Sequence, residues 1–209
     1  MYTLIWDYNG TIVDDAELCL AIENKMLRER GMKYGYSMEE YRHMFCFPVQ
    51  SYYRKLGYDF QNESYEALSV EFNRLYDQNF SSCSLIPHVK EKLEEARSKG
   101  FCCIIISASR QDKLEAQIRL QGLDGYFEAV LGIDNLLAGS KVERAKKWID
   151  DSRIDPAECR LIGDTLHDLE TAQAIGVRHC TLVAQGHQAF DVLKKRWPAT
   201  VRTMEEVVL

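Results

Sequence analysis

A chain of 209 residues, 46% hydrophobic and 28% charged, is long enough to bury one sizeable core and too apolar to remain disordered. Its net charge of −6 excludes an extended nucleic-acid surface, which would need clustered Lys and Arg, and no apolar run approaches the length of a bilayer span. Seven cysteines scattered without a CxxC pair exclude a disulfide frame or a zinc ribbon, and the first strand begins too early to leave room for a signal peptide, so the expectation is a soluble cytoplasmic protein.

Taken in order, the chain opens on Leu4-Ile5-Trp6-Asp7-Tyr8-Asn9-Gly10-Thr11. The apolar run predicts a buried strand, and Gly10 permits a sharp turn behind it. This delivers Asp7 to the carboxyl end of a strand, where ligands of open α/β sheets gather. A carboxylate there can be a nucleophile or a metal ligand; Asp-x-Asn-Gly is also ordinary turn chemistry. Ala16 to Arg30 carries a helical stripe stopped by Gly31. Residues 32–82 contain no run resembling a buried strand and are dense in tyrosine, and short helices are expected near Ser37–Phe45, Val49–Leu56 and Glu63–Phe80. Beyond Pro87 a helix runs to Lys99, then Phe101–Ile106 reads as a central parallel strand. Helices at Gln111–Leu120, Lys141–Asp150 and Leu166–Ile175 alternate with strands at Phe127–Ile133, Arg160–Ile162 and Cys180–Val183, and the tail adds a helix at Phe190–Arg196 and a strand near Val201. Strands alternating with helices imply right-handed crossovers and a doubly wound parallel α/β sheet. The core is expected from residues 1–13 and 84–209, with residues 14–83 inserted as a small helical domain.

Three further stretches carry polar residues suited to one task. The strand at Cys103–Ile106 runs into Ser107-Ala108-Ser109, where a hydroxyl and free N–H groups could cradle an oxyanion or phosphate; serine is equally a common N-cap. Lys141 follows Gly139-Ser140 at a helix start, where the helix dipole opposes a cation. Arg160-Leu161-Ile162-Gly163-Asp164 ends a second apolar strand on an acid, with Asp168 four residues on. Two such carboxylates are costly without a cation, and their oxygens suit Mg²⁺.

The ordered set Asp7-x-Asn9-Gly10-Thr11, Ser107, Lys141 and Gly163-Asp164-x-x-x-Asp168 resembles the haloacid dehalogenase superfamily of phosphohydrolases. The resemblance covers the whole chain. Phe47-Pro48 and Gly186 are similar to stretches of its phosphoglycolate-phosphatase-like and β-phosphoglucomutase-like members. It implies a Rossmann-like core with a helical first-type cap, and a Mg²⁺-dependent phosphatase acting on a small phosphorylated metabolite. By this resemblance Asp7 attacks phosphorus and becomes an aspartyl-phosphate. Thr11, Ser107, the N–H of Ala108 and Lys141 hold phosphoryl oxygens; Asp7, the backbone carbonyl of Asn9 and Asp164 bind the metal; Asp168 orients metal waters or Lys141. No nucleic acid or membrane partner is expected, and the protein should be a monomer or weak dimer.

The pattern breaks at Asn9, where the superfamily carries an aspartate that protonates the leaving group and activates water. An amide cannot exchange a proton, although its backbone carbonyl survives as a ligand. Restoring Asp at this position should therefore speed alkyl-ester hydrolysis, unless Asp14 or Asp15 replaces the missing acid. Two alternatives to a working phosphomonoesterase follow: a weakened or retired phosphatase that binds a phosphate ligand or a partner, and a phosphonatase-like C–P hydrolase using Lys25, Lys33 or Lys55. In the insert, Arg42, His43 and Arg54 are candidate substrate contacts, and the tyrosines are expected to pack.

Overall fold

The computed structural model describes residues 2–134 and 141–209. Its sheet, among these residues, has six parallel strands in the order β5-β4-β1-β6-β7-β8. They are β1 (Thr3–Trp6), β4 (Cys102–Arg110), β5 (Ala129–Ile133), β6 (Cys159–Gly163), β7 (His179–Val183) and β8 (Thr200–Val201). Alternation sorts the strand residues between two cores. Leu4, Trp6, Cys103 and Ile105 face α5 (Val89–Ser98) and α6 (Gln111–Leu120). Ile5, Ile104 and Ile106 face α7 (Val142–Ser152), α8 (Leu166–Ala174) and α9 (Phe190–Arg196). Helices on both faces of a parallel sheet make the expected doubly wound α/β fold.

Between β1 and the rest, α1 (Ala16–Glu29), α2 (Met38–Met44), α3 (Val49–Leu56) and α4 (Tyr65–Asn79) form a helical layer. Tyr41, Tyr52, Tyr53, Tyr65 and Tyr76 are buried in it and share one core with a face of the sheet. Arg30 fastens the layer internally, meeting Glu63 with both Nε (2.7 Å) and Nη2 (2.6 Å) and also reaching Glu71. The chain leaves and re-enters through an antiparallel pair, β2 (Val13–Asp14) with β3 (Ser84–Leu85). Two residues per strand are too few to show a period, so the sequence does not announce this pair.

Two expectations on boundaries need correction. The strand expected to end at Ile106 continues to Arg110, and its pairing with β5 shifts register between Ile106 and Arg110. Gly132 permits this: a Cβ there would lie 2.7 Å from the Ser109 carbonyl, and Gln111 closes the gap by accepting from the Gly132 N–H and donating to the Val130 carbonyl. The helix expected from Pro87 begins at Val89, because His88 takes a left-handed turn at φ 69°. Lys141 stands at the N-cap of α7, and the Gly139-Ser140 pair before it lies outside the described residues. Among the described residues no helix is long and apolar enough to cross a membrane. All seven cysteines are free.

Candidate active site

The three central strands end at one edge. Trp6 pairs with Ile105 on one side and Ile162 on the other, so Asp7 emerges beside the Ile106-Ser107 stretch of β4 and the Gly163 end of β6. The Asp7 N–H continues the ladder, donating to the Ile162 carbonyl at 2.9 Å. Gly10, at φ 71°, lets the chain fold back under Asp164, whose carboxylate occupies the space a Cβ would need.

Lys141 is 3% exposed and donates to Asp7 Oδ1 and Asp168 Oδ1, each at 2.5 Å. Asp168 spends its other oxygen on the Thr165 N–H (3.0 Å) and hydroxyl (2.8 Å), which caps α8 and locks that carboxylate in place. Asp164 accepts from the Thr11 hydroxyl at 3.2 Å and from the His187 N–H at 2.6 Å. Asp7, Asp164 and Asp168 each offer an oxygen within 4.8 Å of the others. Three carboxylates against one ammonium leave the cluster short of positive charge. Burial, then Asp168, push the Asp7 carboxyl well up against the pull of Lys141, and burial pushes Asp164 up to about 6 despite His187. Burial would lower the Lys141 pKa, but Asp168 and Asp7 prevail and hold it charged.

Behind this cluster lies a second one. Asp15, fully buried, accepts from the Gly10 N–H (2.9 Å), Asn9 Nδ2 (2.7 Å), the Tyr76 hydroxyl (2.7 Å) and His187 Nε2 (3.3 Å). Asn9 is held at its other end as well, its Oδ1 accepting from the Ser109 hydroxyl at 2.7 Å. Burial alone would lower the His187 pKa, but Asp15 above all, then Asp164, hold it at about 9. As an imidazolium His187 donates through both ring nitrogens, the second meeting the Tyr41 hydroxyl at 2.7 Å. His187 and Tyr76 carry no local sequence signal; the chain brings them to Asp15 from a loop after β7 and from α4.

Asp7, Asn9, Ser107, Ala108, Ser109, Lys141 and Asp164 all line one cavity of about 170 Å³ between the helical layer and the sheet edge. Ser107 is buried, and its hydroxyl accepts from the Ser109 N–H at 3.0 Å. Thr11 does not join them. The turn closed by the Thr11 and Ile12 N–H groups on the Tyr8 carbonyl carries its hydroxyl to Asp164 instead of the cavity.

The three candidates from the insert also lie elsewhere. Tyr41 takes the inward position on α2, and the next residues rotate away by about 100° each. Arg42 accordingly clasps the core, donating to the carbonyls of Gly186 (2.8 Å) and Gln185 (2.7 Å), while His43 pairs with Asp191 at 3.1 Å on the surface. Arg54 sits over the Phe60 ring at 5.2 Å. Of the lysines, Lys25 pairs with Glu29 (3.9 Å), Lys33 covers Tyr36 (4.7 Å) and Lys55 donates to the Met44 carbonyl (2.9 Å); none of them lines the cavity.

Residues 4–182 match the family model described as haloacid dehalogenase-like hydrolase. A phosphoglycolate phosphatase from Synechococcus elongatus is 24% identical over 180 residues, covering 85% of this chain and 81% of that protein. Pyrophosphatase PpaX from Bacillus pumilus is 23% identical, covering 84% of this chain and 80% of its own. Among solved structures, a haloacid dehalogenase-like family hydrolase from Streptococcus pneumoniae superposes with a TM-score of 0.79 at 18% identity, over 96% of this chain and 92% of the other. The chain belongs to the haloacid dehalogenase-like hydrolase family. Within it, the chain falls with the phosphoglycolate-phosphatase-like members.

Proposed function

We propose that this phosphatase hydrolyses small phosphorylated metabolites through an aspartyl-phosphate at Asp7, under a cap formed by residues 14–83. The observation that carries the reading is the placement of the Asp7 carboxylate, 2.5 Å from Lys141 and at the wall of a cavity shared with Ser107, Ala108 and Asp164. Asp7 attacks phosphorus, the bond from phosphorus to the ester oxygen breaks, and the leaving oxygen departs with its electron pair. Lys141, Ser107 and the Ala108 N–H hold the phosphoryl oxygens, so positioning and charge neutralisation do most of the work. Water then cleaves the aspartyl-phosphate and releases inorganic phosphate.

The donor set fits Mg²⁺. Asp7 and Asp164 supply buried hard oxygens from a cluster short of positive charge, and Asn9, whose backbone carbonyl would complete the set, lines the same cavity. Bound there, the cation would supply charge neutralisation between an anionic nucleophile and an anionic ester. Asp168 takes the role of orienting Lys141, which its 2.5 Å contact supports. Arg42, donating to the Gly186 carbonyl at 2.8 Å, and the Gln188 amide, donating to the Phe45 carbonyl at 2.9 Å, hold the cap against the core.

Asn9 leaves the leaving-group proton without its usual donor. Its amide is bound to Asp15, whose carboxylate lines the same cavity. Aryl phosphates, whose leaving oxygen departs as an anion, should turn over more readily than alkyl esters. Hydrolysis of 4-nitrophenyl phosphate with and without Mg²⁺, and mass spectrometry of Asp7 during turnover, test the reading. Activity that is absent in the wild type, or that survives Asp7→Asn, would overturn it.

A further inference from the structure

Inward from the catalytic edge, the cavity is walled by one face of α1. Cys19 and Glu23 follow Asp15 at four-residue intervals, and all three line the cavity. Eight residues of helix carry Glu23 roughly 12 Å from Asp15, so it marks the deep end of the space a leaving group would fill. Glu23 is 6% exposed, and the Tyr52 hydroxyl donates to it. The cap's share of the cavity wall is chiefly aromatic, Phe45, Phe47, Tyr53 and Phe72 among it, with Tyr53 facing Glu23. The cap contributes no lysine or arginine to this lining; among the described residues the cations Lys141, Arg110 and His187 do so, all from the core, with Arg110 engaged by Asp112 and His187 by Asp15 and Tyr41.

With the neutral Tyr52 hydroxyl as its donor, a buried Glu23 carboxylate is still costly, and a cation beside it offsets that cost. The faces of aromatic rings attract the same kind of group, an organic ammonium. A leaving group ending in a carboxylate or a second phosphate would set one more anion beside Glu23, with no cap cation to receive it. Burial pushes the Glu23 carboxyl up to about 8, the penalty such a partner would relieve.

We propose that the cavity selects phosphomonoesters whose leaving group carries an amine, its ammonium seated against Glu23 among the aromatic rings of the cap. This rests on the phosphatase reading and names its substrate class. Glu23 is the specificity determinant, acting on the far end of the substrate and not on the reacting atoms.

A matched series decides the matter: aminoalkyl, hydroxyalkyl and carboxyalkyl phosphates of four to six carbons. In the wild type, kcat/KM for the amine should exceed that of the hydroxyl ester by about 10-fold and of the carboxylate ester by about 100-fold, corresponding to one and two factors of ten in transition-state binding. Glu23→Gln should bring the amine-to-hydroxyl ratio close to one. Calorimetric titration of the intact esters into Asp7→Asn protein measures the same ranking without turnover. A wild type that prefers the carboxylate or hydroxyl ester, or a Glu23→Gln protein that keeps the amine preference, overturns the proposal. Should the wild type hydrolyse no ester, the aryl phosphate included, the phosphatase reading fails, while the titration still decides what Glu23 recognises.

Discussion

The contact between Asn9 and Asp15 makes a single substitution and its double counterpart differ in sign. Asn9→Asp alone sets two carboxylates where a donor and an acceptor now meet at 2.7 Å. Were both ionised, they would repel by about 6 kcal/mol at an effective dielectric of 20. Taking up one proton costs less: raising a carboxyl from its ordinary range to pH 7 costs about 4 kcal/mol, at about 1.4 kcal/mol per unit. The smaller number governs, and His187 beside Asp15 offsets part of it. Asn9→Asp should therefore lower stability at pH 7 by about 2–4 kcal/mol. The loss should shrink on acidification, because the folded variant binds that proton more tightly than the unfolded chain. Adding Asp15→Asn restores the pair with its polarity reversed, the new amide at position 15 donating to the new carboxylate at position 9. Urea denaturation of all four proteins should yield a coupling energy of about 2–4 kcal/mol. Kinetics supply a second reading. The double variant puts an acid where the leaving group needs one, so alkyl-phosphate hydrolysis should rise by up to about 10²-fold, with little change for 4-nitrophenyl phosphate. The sequence alone suggests that Asn9→Asp suffices for that gain; the Asp15 contact argues that it does not. An Asn9→Asp protein as stable as the wild type at pH 7 would refute the electrostatic reasoning, and a folded double variant with no gain on alkyl esters would refute the claim that position 9 limits the chemistry.

Mg²⁺ should raise the melting temperature, since a cation bound by the native site alone stabilises by about 2.7 kcal/mol at 100 times its Kd; Asp164→Ala should abolish the shift, and melts that coincide with and without millimolar Mg²⁺ would count against the site. Lys141→Met leaves Asp7 and Asp168 buried without their common partner, so denaturation should show a loss of about 3–5 kcal/mol, smaller at pH 5 where the carboxyls can take up protons. Glu23→Gln should stabilise. The Glu23 carboxyl moves from its ordinary 4.5 up to about 8 on folding, so the wild type loses stability as pH rises through that window, by up to about 4 kcal/mol, and glutamine does not. Denaturation at pH 5 and pH 8 should show the gap between the two proteins widening, and an unchanged gap would mean that Glu23 is not buried as a carboxyl.

Much of the core was legible from the residues. Continuous apolar runs ending in Asp7, Ser107 and Asp164, with helices between them, suffice for a parallel sheet whose polar strand ends share an edge, because strand direction and crossover hand leave few other arrangements. Lys141 was legible as a cation in an unfavourable helical position, although only packing shows the two carboxylates that hold it there. The helical layer resisted the same treatment. Helical spacing marks which residues are apolar, yet the rotation that turns Tyr41 inward and Arg42 toward the Gly186 carbonyl depends on what α2 packs against. The direction of the Thr11 hydroxyl, toward Asp164, was not legible for a related reason, since the backbone turn and not the residue type decides where it points. Asp15, Tyr76 and His187 lie far apart in the chain, and each is unremarkable alone. Their hydrogen bonds exist only once α4 and the loop after β7 pack beside the sheet edge, and so tertiary structure alone decided what Asn9 is bound to.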